Sequence, residues 1–145
     1  MYPPPLQELI DFFEHLPEGE RRENLIDLAE AAASCTPQPG LDYEVAQVRK
    51  DPQCSDEVGV YVRRDAEGRV HFALKLGPKV QTLTRALAVI LCRGLNGSLP
   101  QAIKEVPQDF VSRIIGADLV RLRSQTVYYV LDRMKEAAAT LDSQA

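Results

Sequence analysis

The sequence predicts a single α+β domain in which a small three-stranded antiparallel sheet packs against helices in two layers. Apolar residues recur at helical spacing near both ends of the chain, and they alternate with polar residues in a central stretch. A long, nearly continuous apolar run follows that stretch. The 145 residues are about the usual length of one domain, so residues 1–145 are expected to share one hydrophobic core.

Two helices are predicted at the N-terminus. Apolar residues recur at helical spacing over 6–16, directly after a run of prolines, and Pro17 ends this segment. A second amphipathic segment covers about 18–33, and the two segments are expected to form a helical hairpin. Residues 35–40 contain two prolines and a glycine, which predicts a loop.

Three strands are predicted in the central stretch. The residues that define them are Tyr43, Val45 and Val48, then Val58, Val60 and Val62, and finally Val70, Phe72, Leu74 and Leu76. Residues 63–69 have the composition of a hairpin turn. The connection between the first two strands, residues 49–57, is polar and has Cys54 at its middle.

The rest of the chain is predicted to be helical. Residues 82–95 are almost all apolar and end at Asn96 and Gly97, so this helix is expected to lie buried against the sheet. Prolines and apolar residues indicate two shorter helical pieces, at about 98–106 and 110–115. An apolar stripe over 127–141 predicts a final amphipathic helix.

Composition and charge narrow the classes of function. The net charge of -4 gives no basic surface for nucleic acid or for an anionic membrane. No apolar run approaches the roughly 18 residues that a membrane span needs, and the first residues lack the features of a signal peptide. These observations predict a cytoplasmic protein that binds neither nucleic acid nor membrane.

The three cysteines differ in their surroundings. An odd number without a CxxC pair argues against a disulfide framework and against a structural zinc site. Cys54 lies in a polar loop, where a thiol is more often present for its chemistry than for packing. Cys92 lies in an apolar run and is expected to be a buried structural thiol, and Cys35 is expected to be inert. His15 and His71 have no second ligand at metal spacing.

Several segments resemble a known family. Residues 6–13 and 21–29 are similar to its opening helices, Leu95-Asn96-Gly97-Ser98-Leu99-Pro100 to its turn after the apolar helix, and Leu122-Arg123-Ser124-Gln125 to the start of its last helix. In this order, and with the cysteine loop between them, they resemble the SufE family. Its members are sulfur acceptors that assist cysteine desulfurases in iron–sulfur cluster assembly.

The resemblance implies a function and its residues. Cys54 would accept persulfide sulfur, and Arg123 would stabilise the thiolate or persulfide; the alternative for Arg123 is a solvated residue at a helix start capped by Ser124. The partners would be a SufS-like cysteine desulfurase and a SufBCD-like scaffold complex. The pyridoxal phosphate stays with the desulfurase, so this chain would be an accessory protein without a cofactor, either a monomer or a homodimer.

The segment around Cys54 departs from the family pattern. The family usually has Gly-Cys-Gln-Ser-Gln-Val-Trp, whereas this chain has Gln53-Cys54-Ser55-Asp56-Glu57-Val58-Gly59. The two carboxylates are expected to raise the pKa of the Cys54 thiol, and Arg49 and Lys50 to offset this. Two other functions therefore stay open. One is a partner-binding module that no longer moves sulfur, and the other is an IscU-like cluster scaffold using Cys54, Asp56 and His71.

Overall fold

A computed structural model of the chain describes residues 2–50, 56–116 and 125–143. In chain order its elements are α1 (Pro4–Glu14), α2 (Glu18–Glu30), a 3₁₀ helix (Ala31–Cys35), β1 (Val45–Arg49), β2 (Val58–Arg64), β3 (Val70–Leu76), α3 (Thr82–Leu95), α4 (Pro100–Lys104), α5 (Phe110–Ile115) and α6 (Gln125–Ser143). The predicted α+β class with a three-stranded antiparallel sheet is confirmed.

The sheet has the strand order β1-β2-β3, with β2 in the centre. One face of β2 and β3 is apolar and buried, as the alternation in the sequence predicts; it carries Val58, Val60, Val62, Val70, Phe72 and Leu74. The β2–β3 hairpin turns at Asp65–Gly68, where the Asp65 carboxylate accepts hydrogen bonds from the backbone N–H groups of Glu67 and Arg69.

The first strand differs from the prediction. It begins at Val45 rather than at Tyr43, and Val45 is buried while the Val48 side chain is 53% exposed. The reason is the spacing, because residues three apart lie on opposite faces of a strand. Only Val45 contributes to the core, and β1 forms an edge of the sheet whose outer residues contact solvent.

Helix α3 is the centre of the core. It packs on β3, and α1 and α2 both pack chiefly on α3. The two helices of the expected N-terminal hairpin therefore have α3 as their main packing partner. Gly94 permits the close approach of α1, because a Cβ at this position would lie 2.8 Å from Cβ of Leu6. A larger side chain there would push the two helices apart.

The turn after α3 joins the helix to the sheet. Gly97 has φ +82°, a conformation that favours glycine, and its N–H donates to the Val70 carbonyl at 2.9 Å. The side-chain oxygen of Asn96 accepts from the Phe72 N–H at 2.7 Å. The predicted helix end is therefore confirmed, and it also covers part of the outer edge of β3.

Helix α6 packs on α4, α3 and the first two strands, and its predicted apolar stripe is buried from Val127 to Leu141. One residue of this helix, Arg133, is only 2% exposed although it is charged. Among the helices of the three described ranges, none has the length and hydropathy of a membrane span.

Candidate functional site

The loop between β1 and β2 connects the ends of two paired strands. The two strands pair as far as Arg49 and Val58, so residues 50–57 link the ends of two adjacent antiparallel strands. Cys54 belongs to residues 51–55 and Arg123 to residues 117–124, and both lie outside the described residues. The assignments of Cys54 and Arg123 therefore stay predictions. The structure describes the residues that border the loop, namely Arg133, Asp56 and the turn before α3, which are called the frame of the loop.

Arg133 joins the two strands that the loop connects. Its Nη1 donates to the Val58 carbonyl at 2.5 Å and its Nη2 to the Gln47 carbonyl at 2.8 Å. One planar guanidinium therefore links the middle of β1 to the first residue of β2, with two donors held in a fixed geometry. Because the guanidinium is buried, these charge-assisted bonds are little weakened by solvent.

Asp56 fixes the other end of the loop to the turn before α3. Its carboxylate accepts from the Lys79 N–H and from its own neighbour, the Glu57 N–H, each at 2.8 Å. The Gly77 N–H also donates to the Glu57 carbonyl at 2.9 Å. Gly77 has no room for a side chain, because the Asp56 carboxylate occupies the position that a Cβ would take.

A cation of α3 completes this turn. The Arg85 Nε donates to the Val80 carbonyl at 3.0 Å, and its Nη2 donates to the Gly77 carbonyl. The turn is therefore held from both sides, by an acidic residue of the loop and by a basic residue of the helix. The sequence predicts Asp56 as a charge near Cys54 or as a cluster ligand but not as an anchor, since its partners are backbone groups that no side-chain pattern reveals.

The charges bordering the loop are partly engaged elsewhere. The hydrogen bonds from the Lys79 and Glu57 N–H groups hold the pKa of Asp56 below its ordinary value, with a further contribution from the charges of Lys79 and Arg85. Arg49, expected to offset the acidic residues, has its Nη2 3.8 Å from Oε2 of Glu136, and both side chains are about half exposed. The carboxylate of Asp56 therefore acts as an anchor with its charge largely compensated locally.

Two proposed ligands of a cluster scaffold are not brought together. Asp56 precedes the start of β2, which pairs with Leu76, whereas His71 lies near the other end of β3 opposite Arg63. Five residues of strand separate the two ends, which corresponds to about 17 Å. His71 Nε2 instead lies 2.8 Å from Oδ2 of Asp65. Within residues 2–50, 56–116 and 125–143, no cluster of three or more potential ligands is present.

Cys35 and Cys92 lie together, which the sequence did not reveal. Cys35 ends the 3₁₀ helix rather than lying in the predicted loop, and Cys92 is in the last turn of α3. Cys92 is buried, as expected, and both thiols line one pocket. Interaction with the Cys92 thiol lowers the pKa of Cys35 to about 6, opposed by desolvation and aided by Ser34 and Arg93.

Sequence reasoning also missed Arg133. On a helical wheel this residue falls at the edge of the apolar stripe of α6, where a charged residue normally reaches solvent. Its burial depends on two strand carbonyls from a distant part of the chain. The only sequence signal is its position next to the stripe, which does not distinguish a buried arginine from a solvated one.

Comparison with known proteins agrees with the resemblance. A family model described as SufE, Fe-S metabolism associated domain, matches residues 7–138. The solution structure of a hypothetical protein from Thermus thermophilus is similar, with 26% identity and a TM-score of 0.73 over 97% of each chain. No curated protein matches the sequence. Because the family model spans nearly the whole chain, the protein belongs to the SufE family.

Proposed function

We propose that the protein accepts persulfide sulfur on Cys54 from a cysteine desulfurase and delivers it for iron–sulfur cluster assembly, stimulating the desulfurase by clearing its sulfur. The observation that supports this most is membership of a family associated with Fe-S metabolism, combined with a cysteine in the connection between β1 and β2. The partners are a SufS-like desulfurase, which holds the pyridoxal phosphate, and a SufBCD-like scaffold complex.

The chemistry is an exchange between a thiol and a persulfide. The Cys54 thiolate attacks the outer sulfur of the persulfide on the desulfurase, so a new S–S bond forms on Cys54. The S–S bond of the donor breaks, and the donor cysteine leaves as a thiolate. No net oxidation occurs, and the sulfur moves as a neutral atom between two cysteines. Arg123 is proposed to stabilise the negative charge on the attacking thiolate and on the persulfide product.

The frame supports this proposal through positioning. Arg133 holds the middle of β1 to the start of β2, and Asp56 holds the chain as it enters β2. Both anchors lie outside residues 51–55, so they restrict the base of the loop without using the acceptor thiol. A fixed base reduces the entropy that is lost when a partner docks on the loop.

The test is sulfur transfer from a defined donor. The protein is incubated with a pyridoxal phosphate-dependent cysteine desulfurase and cysteine, and its mass is measured without reductant. We expect the mass of one sulfur atom to be added to the peptide that contains Cys54. Cys54→Ser should abolish this addition and the stimulation of desulfurase turnover, while its circular dichroism spectrum stays that of the wild type.

Matched variants make the result specific. Cys35→Ser should still accept sulfur at Cys54, because Cys35 lies in another pocket, and Arg123→Ala should accept sulfur more slowly than Arg123→Lys. Sulfur found on Cys35 instead of Cys54 would contradict the proposal. Unchanged stimulation by Cys54→Ser would support the alternative of a binding module.

A further inference from the structure

The second thiol site lies far from the frame that borders the Cys54 loop. Cys35 and Cys92 line a pocket of about 210 Å³ formed by the 3₁₀ helix, the end of α3 and the neighbouring strands. The loop frame contacts the turn before α3, whereas Cys92 lies ten residues beyond Thr82. Ten helical residues span about 15 Å. The two sites therefore lie near opposite ends of α3.

The two thiols have different environments. Cys35 is half-buried and lines the pocket, so a small molecule can reach it, while Cys92 is only 1% exposed. Interaction with the Cys35 thiol and the burial of Cys92 raise the pKa of Cys92 well above its ordinary value, so Cys92 is the thiol that keeps its proton. This asymmetry resembles that of an attacking thiol and a resolving thiol.

The pocket is also positively charged. Arg63 of β2 and Arg93 of α3 line it, and His71 of β3 and the hydroxyl of Tyr43 lie in the same wall. The Asp65 carboxylate is hydrogen-bonded to His71, and no Asp or Glu is among the described residues that line the pocket. An anionic molecule is therefore favoured next to the Cys35 sulfur.

We propose that Cys35 and Cys92 form a second reactive site, separate from Cys54, which small disulfides bearing carboxylates oxidise to an internal disulfide. The Cys35 thiolate attacks one sulfur of the small disulfide and forms a mixed disulfide, and one small thiolate leaves. Cys92 then attacks the Cys35 sulfur, the second small thiolate leaves, and the proton of Cys92 goes to it. The protein loses two electrons and two protons, which together are two hydrogen atoms, and one small disulfide is reduced to two thiols.

The geometry favours the second step. Both thiols line one pocket, and the 3₁₀ helix that ends at Cys35 packs on α3, so an S–S bond of about 2 Å would join two adjacent elements. Once Cys35 is in the mixed disulfide it carries no negative charge, so the charge that helps to hold the proton on Cys92 is lost. Formation of the first bond therefore activates the second thiol.

The test uses glutathione disulfide on the full chain in a Cys54→Ser background, where Cys35 and Cys92 are the remaining thiols. We expect the loss of two hydrogen atoms, a Cys35–Cys92 cross-linked peptide, and reversal by dithiothreitol. With Cys92→Ala added, the mixed disulfide should persist, and with Cys35→Ser added, the folded protein should not react. A folded protein that stays unmodified, or that keeps a stable mixed disulfide with Cys92 present, would overturn the proposal.

The charge of the reagent is tested separately. Arg93→Gln should slow the reaction with glutathione disulfide by roughly fivefold at low salt. The rate with uncharged bis(2-hydroxyethyl) disulfide should change less. Equal slowing with both reagents would refute recognition of the carboxylates. The sulfur-transfer experiment on Cys54 has a different site and a different mass change, so either proposal can fail alone.

Discussion

Replacing Arg133 by methionine tests whether this buried arginine holds the base of the cysteine loop. Methionine keeps most of the apolar stem but leaves the carbonyls of Val58 and Gln47 without the two donors. Each lost bond to a charged donor costs about 1.5–3 kcal/mol, and removal of a buried charge offsets part of that loss. We therefore expect the free energy of unfolding to fall by about 2–4 kcal/mol and Tm by roughly 5–15 °C.

The assay is urea unfolding followed by far-ultraviolet circular dichroism, with amide hydrogen exchange as a local measure. Lys135→Met is the matched control, because Lys135 is on the same helix and donates to the Val106 carbonyl at 2.6 Å, away from the loop. The control should lose about 1 kcal/mol. Exchange should rise at residues 45–49 and 58–60 in Arg133→Met only. Equal stability of Arg133→Met and wild type, or equal exchange changes in both variants, would refute the reasoning.

Three further predictions follow from individual contacts. The stabilisation that Asp56 provides should be complete above its ordinary pKa of 3.8 and should be lost as the pH falls through its lower folded pKa. The difference in urea midpoint between wild type and Asp56→Asn should therefore shrink in acid. A difference that stays constant with pH would contradict this prediction. Gly59→Ala should destabilise by about 1–3 kcal/mol, because its Cβ would lie 2.9 Å from the Tyr61 ring, and a double-mutant cycle with Tyr61→Ala should show positive coupling in urea unfolding. In a Cys54→Ser background, alkylation of Cys35 by iodoacetamide should increase through about pH 6, and Cys92→Ala should move that increase to higher pH; an unmoved profile would remove Cys92 as the cause.

The sequence predicts the elements whose cause is local. The α3 run, its end at Asn96 and Gly97, and the alternation of β2 and β3 all follow from periodicity and turn composition, and the structure agrees. The family could also be predicted, because short segments keep their order along the chain. Val48 helped to predict β1, but its side chain lies on the exposed face of the strand. An apolar residue can therefore indicate a strand without belonging to the core.

The parts that were missed depend on residues distant in sequence. Arg133 is 75 residues from Val58 along the chain, and its buried position depends on backbone carbonyls that any residue possesses. The pairing of Cys35 with Cys92 likewise depends on the packing of the 3₁₀ helix on α3. Neither spacing nor composition encodes such a contact, so the sequence reveals neither the burial of Arg133 nor the common pocket of Cys35 and Cys92.

The anchors of the cysteine loop bind main-chain atoms: Arg133 holds two carbonyls, and Asp56 holds two N–H groups. Main-chain atoms are present whatever side chain a residue carries, so most substitutions of Val58, Gln47, Glu57 or Lys79 leave the bonded atoms in place. The attachment therefore depends on the identity of Arg133 and Asp56 and not on the side chains of the residues that they bind.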